Sequence, residues 1–138
     1  MRELLFRAKR KNWAALPEEE WWVEGYPVKY QPCASKDEYV YGIVPTYASA
    51  LYIIAVNPET LCQYICMNDK NGKRIYENDI IRHDKSDTIG TVQWYQEDYV
   101  GWCVYDIQVD EQQVGDETWG ECEVIGNIFD HPKLLKGE

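Results

Sequence analysis

The sequence is poor in the residues that most often carry chemistry. It has two histidines, His83 and His131, each isolated beside a turn, and two methionines. Neither histidine has a base, nucleophile or ligand partner at a recognisable spacing. His83 adjoins Asp84, but neighbours on a strand point to opposite faces. The five cysteines, Cys33, Cys62, Cys66, Cys103 and Cys122, are odd in number and irregularly spaced. A structural zinc site needs four ligands in tight pairs, so no metal is expected, even though Cys62 and Cys66 could share a helix face. There is no phosphate-cradling glycine loop and no nucleophile elbow, so no cofactor is expected either. Carboxylates are abundant, but none forms a pair with a recognisable catalytic role. Asp79 is read as capping a turn, and Glu121 and Glu123 as sharing one side of a strand, unfavourable unless solvated. The chain is read as a non-enzyme.

Long hydrophobic runs are also missing. The longest, Ala48–Val56, contains Ser49 and Tyr52 and falls well short of the roughly 20 residues that span a bilayer. The N-terminal MRELLFRAKRK has no apolar signal core. Together with the odd cysteine count this predicts reduced thiols, a cytoplasmic protein and no membrane contact.

Cations are scarce outside one place. Residues 1–11 hold five basic groups against one acid, whereas residues 93–138 hold two against eleven; the whole chain is at −10. Only Arg2, Arg7, Lys9, Arg10 and Lys11 offer the cation cluster that phosphate binding requires. Nucleic acid is therefore the weaker of two partner readings.

Phenylalanine is nearly absent, while there are six Trp and eleven Tyr. These residues combine a large apolar body with one polar handle. They suit either a thin β core or a protein interface. Trp94, Tyr95, Tyr99 and Trp102 fall on or between adjoining predicted strands. They form a core row or, with Glu111, Asp116 and Glu117, a face for a peptide or protein partner. Self-association is the other form such contact can take.

β-Formers dominate from Leu4–Ala8, Trp21–Tyr30 and Glu38–Val44 through Ala50–Val56. Asn57-Pro58-Glu59 reads as the capped start of a single helical turn that carries Leu61 and Tyr64. Asn71-Gly72 and Glu77-Asn78-Asp79 read as tight turns. Strands follow at Ile80–Arg82, Gly90–Tyr95, Gly101–Ile107 and Glu121–Phe129, with a polar loop at Gln108–Gly120 and a closing helical turn at Asp130–Leu135. Strands at such short spacing predict a small barrel or a rolled sheet. The fold class is mainly β with one or two short helical turns. The division is 1–57 and 58–138, or one continuous domain.

Several stretches of the chain carry a resemblance: Pro58–Tyr64 with Asp69–Ile81, Glu123–Leu135, and Phe6–Lys9 followed by Trp22–Tyr26. Together they resemble the signature of YopX-like proteins across nearly the whole chain. The resemblance implies a bacteriophage or prophage protein whose C-terminal part is a small SH3-like barrel, with N-terminal β segments packing on it. It implies no activity. It also leads one to expect glycine where this chain has Cys62, Cys66 and Asn78.

Overall fold

The computed structural model describes residues 4–31, 39–47, 52–84, 89–95, 101–106 and 120–136, with backbone alone at 95, 101–106 and 136. Two compact units make up the chain, Met1–Gln63 and Tyr64–Glu138.

In the first unit, β1 (Phe6–Lys9), β2 (Trp22–Tyr30), β3 (Val40–Pro45) and β4 (Ile54–Ala55) form an antiparallel sheet in the order β4-β3-β2-β1. The first residues of β5 (Cys62–Asn68) pair with the free side of β1, Phe6 with Gln63 and Arg7 with Cys62. Alternation along these strands collects Ala8, Val23, Ile43, Ile54 and Val56 into one buried cluster. Phe6, Tyr41 and Leu61 pack on it.

In the second unit, the later part of β5 pairs with β6 (Arg74–Tyr76). A separate antiparallel sheet runs β10-β7-β8-β9, built from β7 (Asp79–His83), β8 (Ile89–Tyr95), β9 (Gly101–Asp106) and β10 (Cys122–Asn127). Its core is Ile65, Ile75, Ile81, Val92, Cys122 and Val124. Among the described residues no pairing joins the outer edge of β9 to another strand.

Several expectations need correcting. Cys62–Asn68 is a strand, not the continuation of a helical turn. Cys62 and Cys66 therefore share no helix face. The turn at Pro58–Thr60 is 3-10 and ends at once. Asn57 makes no side-chain cap there. Instead the Thr60 hydroxyl donates to the Asn57 carbonyl at 2.6 Å and accepts the Lys9 N–H at 2.9 Å, which ties the turn to β1. Four 3-10 turns are described in place of the one or two expected, at Trp13–Ala15, Glu18–Glu20, Pro58–Thr60 and Pro132–Lys136.

The Asn71-Gly72 tip is a hairpin turn of a different type from the usual Asn-Gly pair. Only Gly72 has positive φ, at 79°, and its N–H donates to the Asp69 carbonyl. A left-handed fourth position makes this a wider turn than a two-residue connection with both residues left-handed.

Candidate functional site

The basic segment is not a free arm. Lys9 is only 7% exposed. Its ammonium sits 3.9 Å from the Trp13 ring centre and 4.6 Å from that of Trp21, and the two rings meet edge to face. The Arg7 guanidinium lies 4.8 Å over Trp22. Arg10 donates to the Glu20 carbonyl at 2.7 Å. Two of the five cations thus serve the first unit's own aromatic cluster, and a third bonds its backbone. Burial strengthens such cation–ring contacts and hides the charge from a phosphate. Lys11 is exposed, and Arg2 lies outside the described residues.

Of the aromatic candidates, Trp94 is 42% exposed. It alternates with buried Val92 along β8, so it continues the core side of the strand and emerges at its end. Its cross-strand neighbour in register is Trp102, while Tyr95 is opposite Gly101. The side chains of Tyr95 and Trp102 are not described. Tyr99, Glu111, Asp116 and Glu117 lie outside the described residues, as does most of the Gln108–Gly120 loop.

The titratable groups of the second unit pair across strands. Arg82 bonds Glu123 at 2.9 Å, Lys70 bonds Asp84 at 2.8 Å, and His83 Nε2 meets Glu121 at 3.2 Å. Glu123 is thus offset by Arg82, Glu121 has His83 as its neighbour, and His83 and Asp84 have separate partners. The hydrogen bond that Lys70 donates to Asp84 raises its ammonium above the usual range. These pairs are surface contacts and contribute little each.

The remaining polar groups satisfy backbone. Asp69 is 6% exposed and its carboxylate accepts three N–H groups, from Asn71, Lys73 and Val124. Asp79 is fully buried and accepts the Tyr76 N–H at 2.8 Å, the turn-capping role expected of it. His131 Nδ1 accepts the Asn127 N–H at 3.2 Å, and its ring occupies the space a side chain at residue 126 would need. Cys62, Cys66 and Cys122 are thiols. Burial pushes the Cys122 thiol up to about 11, with Asp84, Glu121 and Asp69 adding to the rise. Among the described residues no group of three or more His, Cys, Asp or Glu could hold a metal ion, and no helix is long and apolar enough to cross a membrane.

The family model described as YopX protein matches residues 6–136. The chain belongs to the YopX family. A solved structure, the crystal structure of protein EF1440 from Enterococcus faecalis, shares its fold. That match covers 98% of this chain and 99% of the other, at 19% identity and a TM-score of 0.54. No curated protein matches. Neither match names an enzymatic activity.

Two features of this YopX-family chain escape sequence reasoning. One is the capture of Lys9 between two indoles, since nothing in the sequence places Trp13 and Trp21 on either side of it. The other is a group of exposed tyrosines around β2 and β3. The aromatic count was their only signal, and it does not distinguish core from surface.

Proposed function

We propose that this chain is an accessory protein, encoded by a bacteriophage or integrated prophage, that acts in the bacterial cytoplasm by binding another protein. Its partner is basic, and the contact centres on the Trp94 end of the second unit. The carrying observation is Trp94, a large indole left 42% exposed at the end of a strand whose other core-side residue is buried. Exposed tryptophans of this kind anchor protein interfaces. The second unit holds seven basic and sixteen acidic groups, a balance of −9. That field attracts a basic surface and repels phosphate.

We read the second unit as the SH3-like small barrel that the family resemblance implies. The β5–β6 hairpin supports this by bonding to β10 through Lys70 N–H to the Cys122 carbonyl and Val124 N–H to Asp69. The alternative, a nucleic-acid module, loses ground because Arg7, Lys9 and Arg10 are engaged within the first unit.

The test is capture from host lysate on immobilised protein, read beside Trp94→Ala and the triple change of Glu111, Asp116 and Glu117 to Lys. A basic protein retained by the native chain, lost from both variants and released by salt supports the reading. Equal retention by all three overturns it. So does nucleic-acid binding that weakens steeply with salt and disappears without residues 1–11.

A further inference from the structure

The reverse face of the first unit's sheet carries Arg7, Lys9 and Glu24 beside β1, but its β2–β3 part departs from the normal antiparallel pattern. Antiparallel sheets with one packed face carry polar residues on the other. Here the core face holds Ala8, Val23, Ile43 and Ile54. The opposite face presents Tyr26, Val28 and Tyr30 on β2, in register with Val44, Gly42 and Val40 on β3. None of these six positions is charged. Ile53 lies across the same face, because its side chain fills the space that a Cβ on Gly42 would enter, 2.5 Å away. Tyr26 is 52% exposed, Tyr30 38% and Ile53 37%.

We infer that this face is where two copies of the chain meet, sheet against sheet. Charge selects the occupant. The first unit has seven basic and eight acidic groups, close to neutral, whereas the second unit carries −9. A basic partner is steered toward the second unit, and two second units repel one another. The neutral tyrosine–valine face is the surface on which a like copy can approach with least repulsion. A face-to-face pairing also brings the same residues from each copy together, as a two-fold contact requires.

Area sets the strength. An aromatic side chain offers about 150–250 Å², so the two tyrosines leave roughly 180 Å² in water. With Ile53 and the three valines the face reaches on the order of 300–400 Å² per copy, against about 800 Å² per partner in a standard interface. The dimer is therefore weak and forms only at high protein concentration.

This inference rests on the protein-contact reading above but uses a different surface, so the two fail separately. Sedimentation velocity on the purified full chain, from about 5 μM to about 1 mM, provides the measurement. A dimer growing with concentration is expected. Raising salt from about 50 to about 500 mM tightens it about threefold, since the repelling acidic units are screened. Tyr30→Lys, which sets like charges against each other across the two-fold, abolishes it. Tyr26→Ser weakens it at least about fivefold, and Leu4→Ser, an exposed apolar change elsewhere in the unit, leaves it intact. A monomer throughout the range overturns the inference, as does a dimer unaffected by Tyr30→Lys. A monomer would leave lysate capture through Trp94 untouched.

Discussion

Cys66 is the most informative residue to replace. It has φ 69°, inside β5, where the pairing with β6 shifts register between Tyr64 and Asn68. A non-glycine residue in the left-handed region costs roughly 1–2 kcal/mol. Glycine removes that cost but adds about 0.4–1 kcal/mol of unfolded-chain entropy. The half-buried thiol also contributes packing. Cys66→Gly is thus expected to change stability by less than about 1 kcal/mol, so its absolute effect decides little. Comparison with Cys66→Ala is decisive. Both variants lose the sulfur, and only alanine keeps the strain. At an ordinary strand position glycine is less stable than alanine by about 0.5–1 kcal/mol. At this position the order inverts, with Cys66→Gly more stable than Cys66→Ala by about 1 kcal/mol. Urea denaturation of both variants, with unchanged slope, reads the difference directly. Alanine equal to or better than glycine would falsify the left-handed assignment at the bulge.

Asn78, with φ 70°, has the same geometry. Asn78→Gly and Asn78→Ala both lose the bond from Gln93 to Asn78 Oδ1, but only glycine relieves the strain, so urea denaturation is expected to find Asn78→Gly more stable than Asn78→Ala by about 1 kcal/mol. Asp69→Asn should cost about 2–3 kcal/mol, since one of three N–H donors then faces an NH2 group; hydrogen exchange should show the Val124 amide opening first. The raised Cys122 thiol disfavours its thiolate in the folded state. The stability this contributes is complete below pH 9 and falls away as pH rises toward about 11, by about 1–2 kcal/mol after allowance for solvent screening. A Cys122→Ala variant should lose less stability than native over that window, and an equal loss would refute the assignment. Lys9→Met should lower stability by about 1–2 kcal/mol and shift tryptophan emission, with no change in any nucleic-acid affinity.

Most strands were legible because β-branched and aromatic residues mark them and Gly, Pro and Asn end them. β5 was not. Cys-Gln-Tyr-Ile-Cys-Met-Asn has only one β-branched residue, and its burial alternation breaks where the backbone turns left-handed at Cys66. Pro58 just upstream supplied a helix-start signal that the chain uses for only three residues. The basic segment misled for a different reason. Its charges looked solvent-directed, but β1 is an interior strand paired on both sides, and Arg7 and Lys9 are held by the indoles of Trp22 and Trp21, more than ten residues on, as well as by nearby Trp13. Such long-range pairing leaves no local periodicity to read. For the candidate site, the sequence identified Trp94 correctly as a strand residue but could not separate core from surface, because Trp94 lies on the core side and is exposed only at its end.

What the signature residues do explains why they identify a family without revealing an activity. Asp69 holds a hairpin tip and the Val124 amide. Asn78 provides a left-handed corner whose N–H reaches the Val92 carbonyl and whose own carbonyl accepts the Ile128 N–H. Asp79 receives the Tyr76 amide, and Asn127 closes the chain end by accepting the Phe129 and Asp130 amides on Oδ1. Asp69, Asp79 and Asn127 each use a polar side chain to satisfy backbone donors that burial would otherwise leave unsatisfied, at a cost of about 1–3 kcal/mol apiece. Replacing any of them disturbs the fold before it disturbs a contact with another molecule. A change that alters binding but not stability must therefore fall outside the signature, on side chains the fold leaves exposed. Trp94 in the second unit and Tyr30 in the first meet that condition.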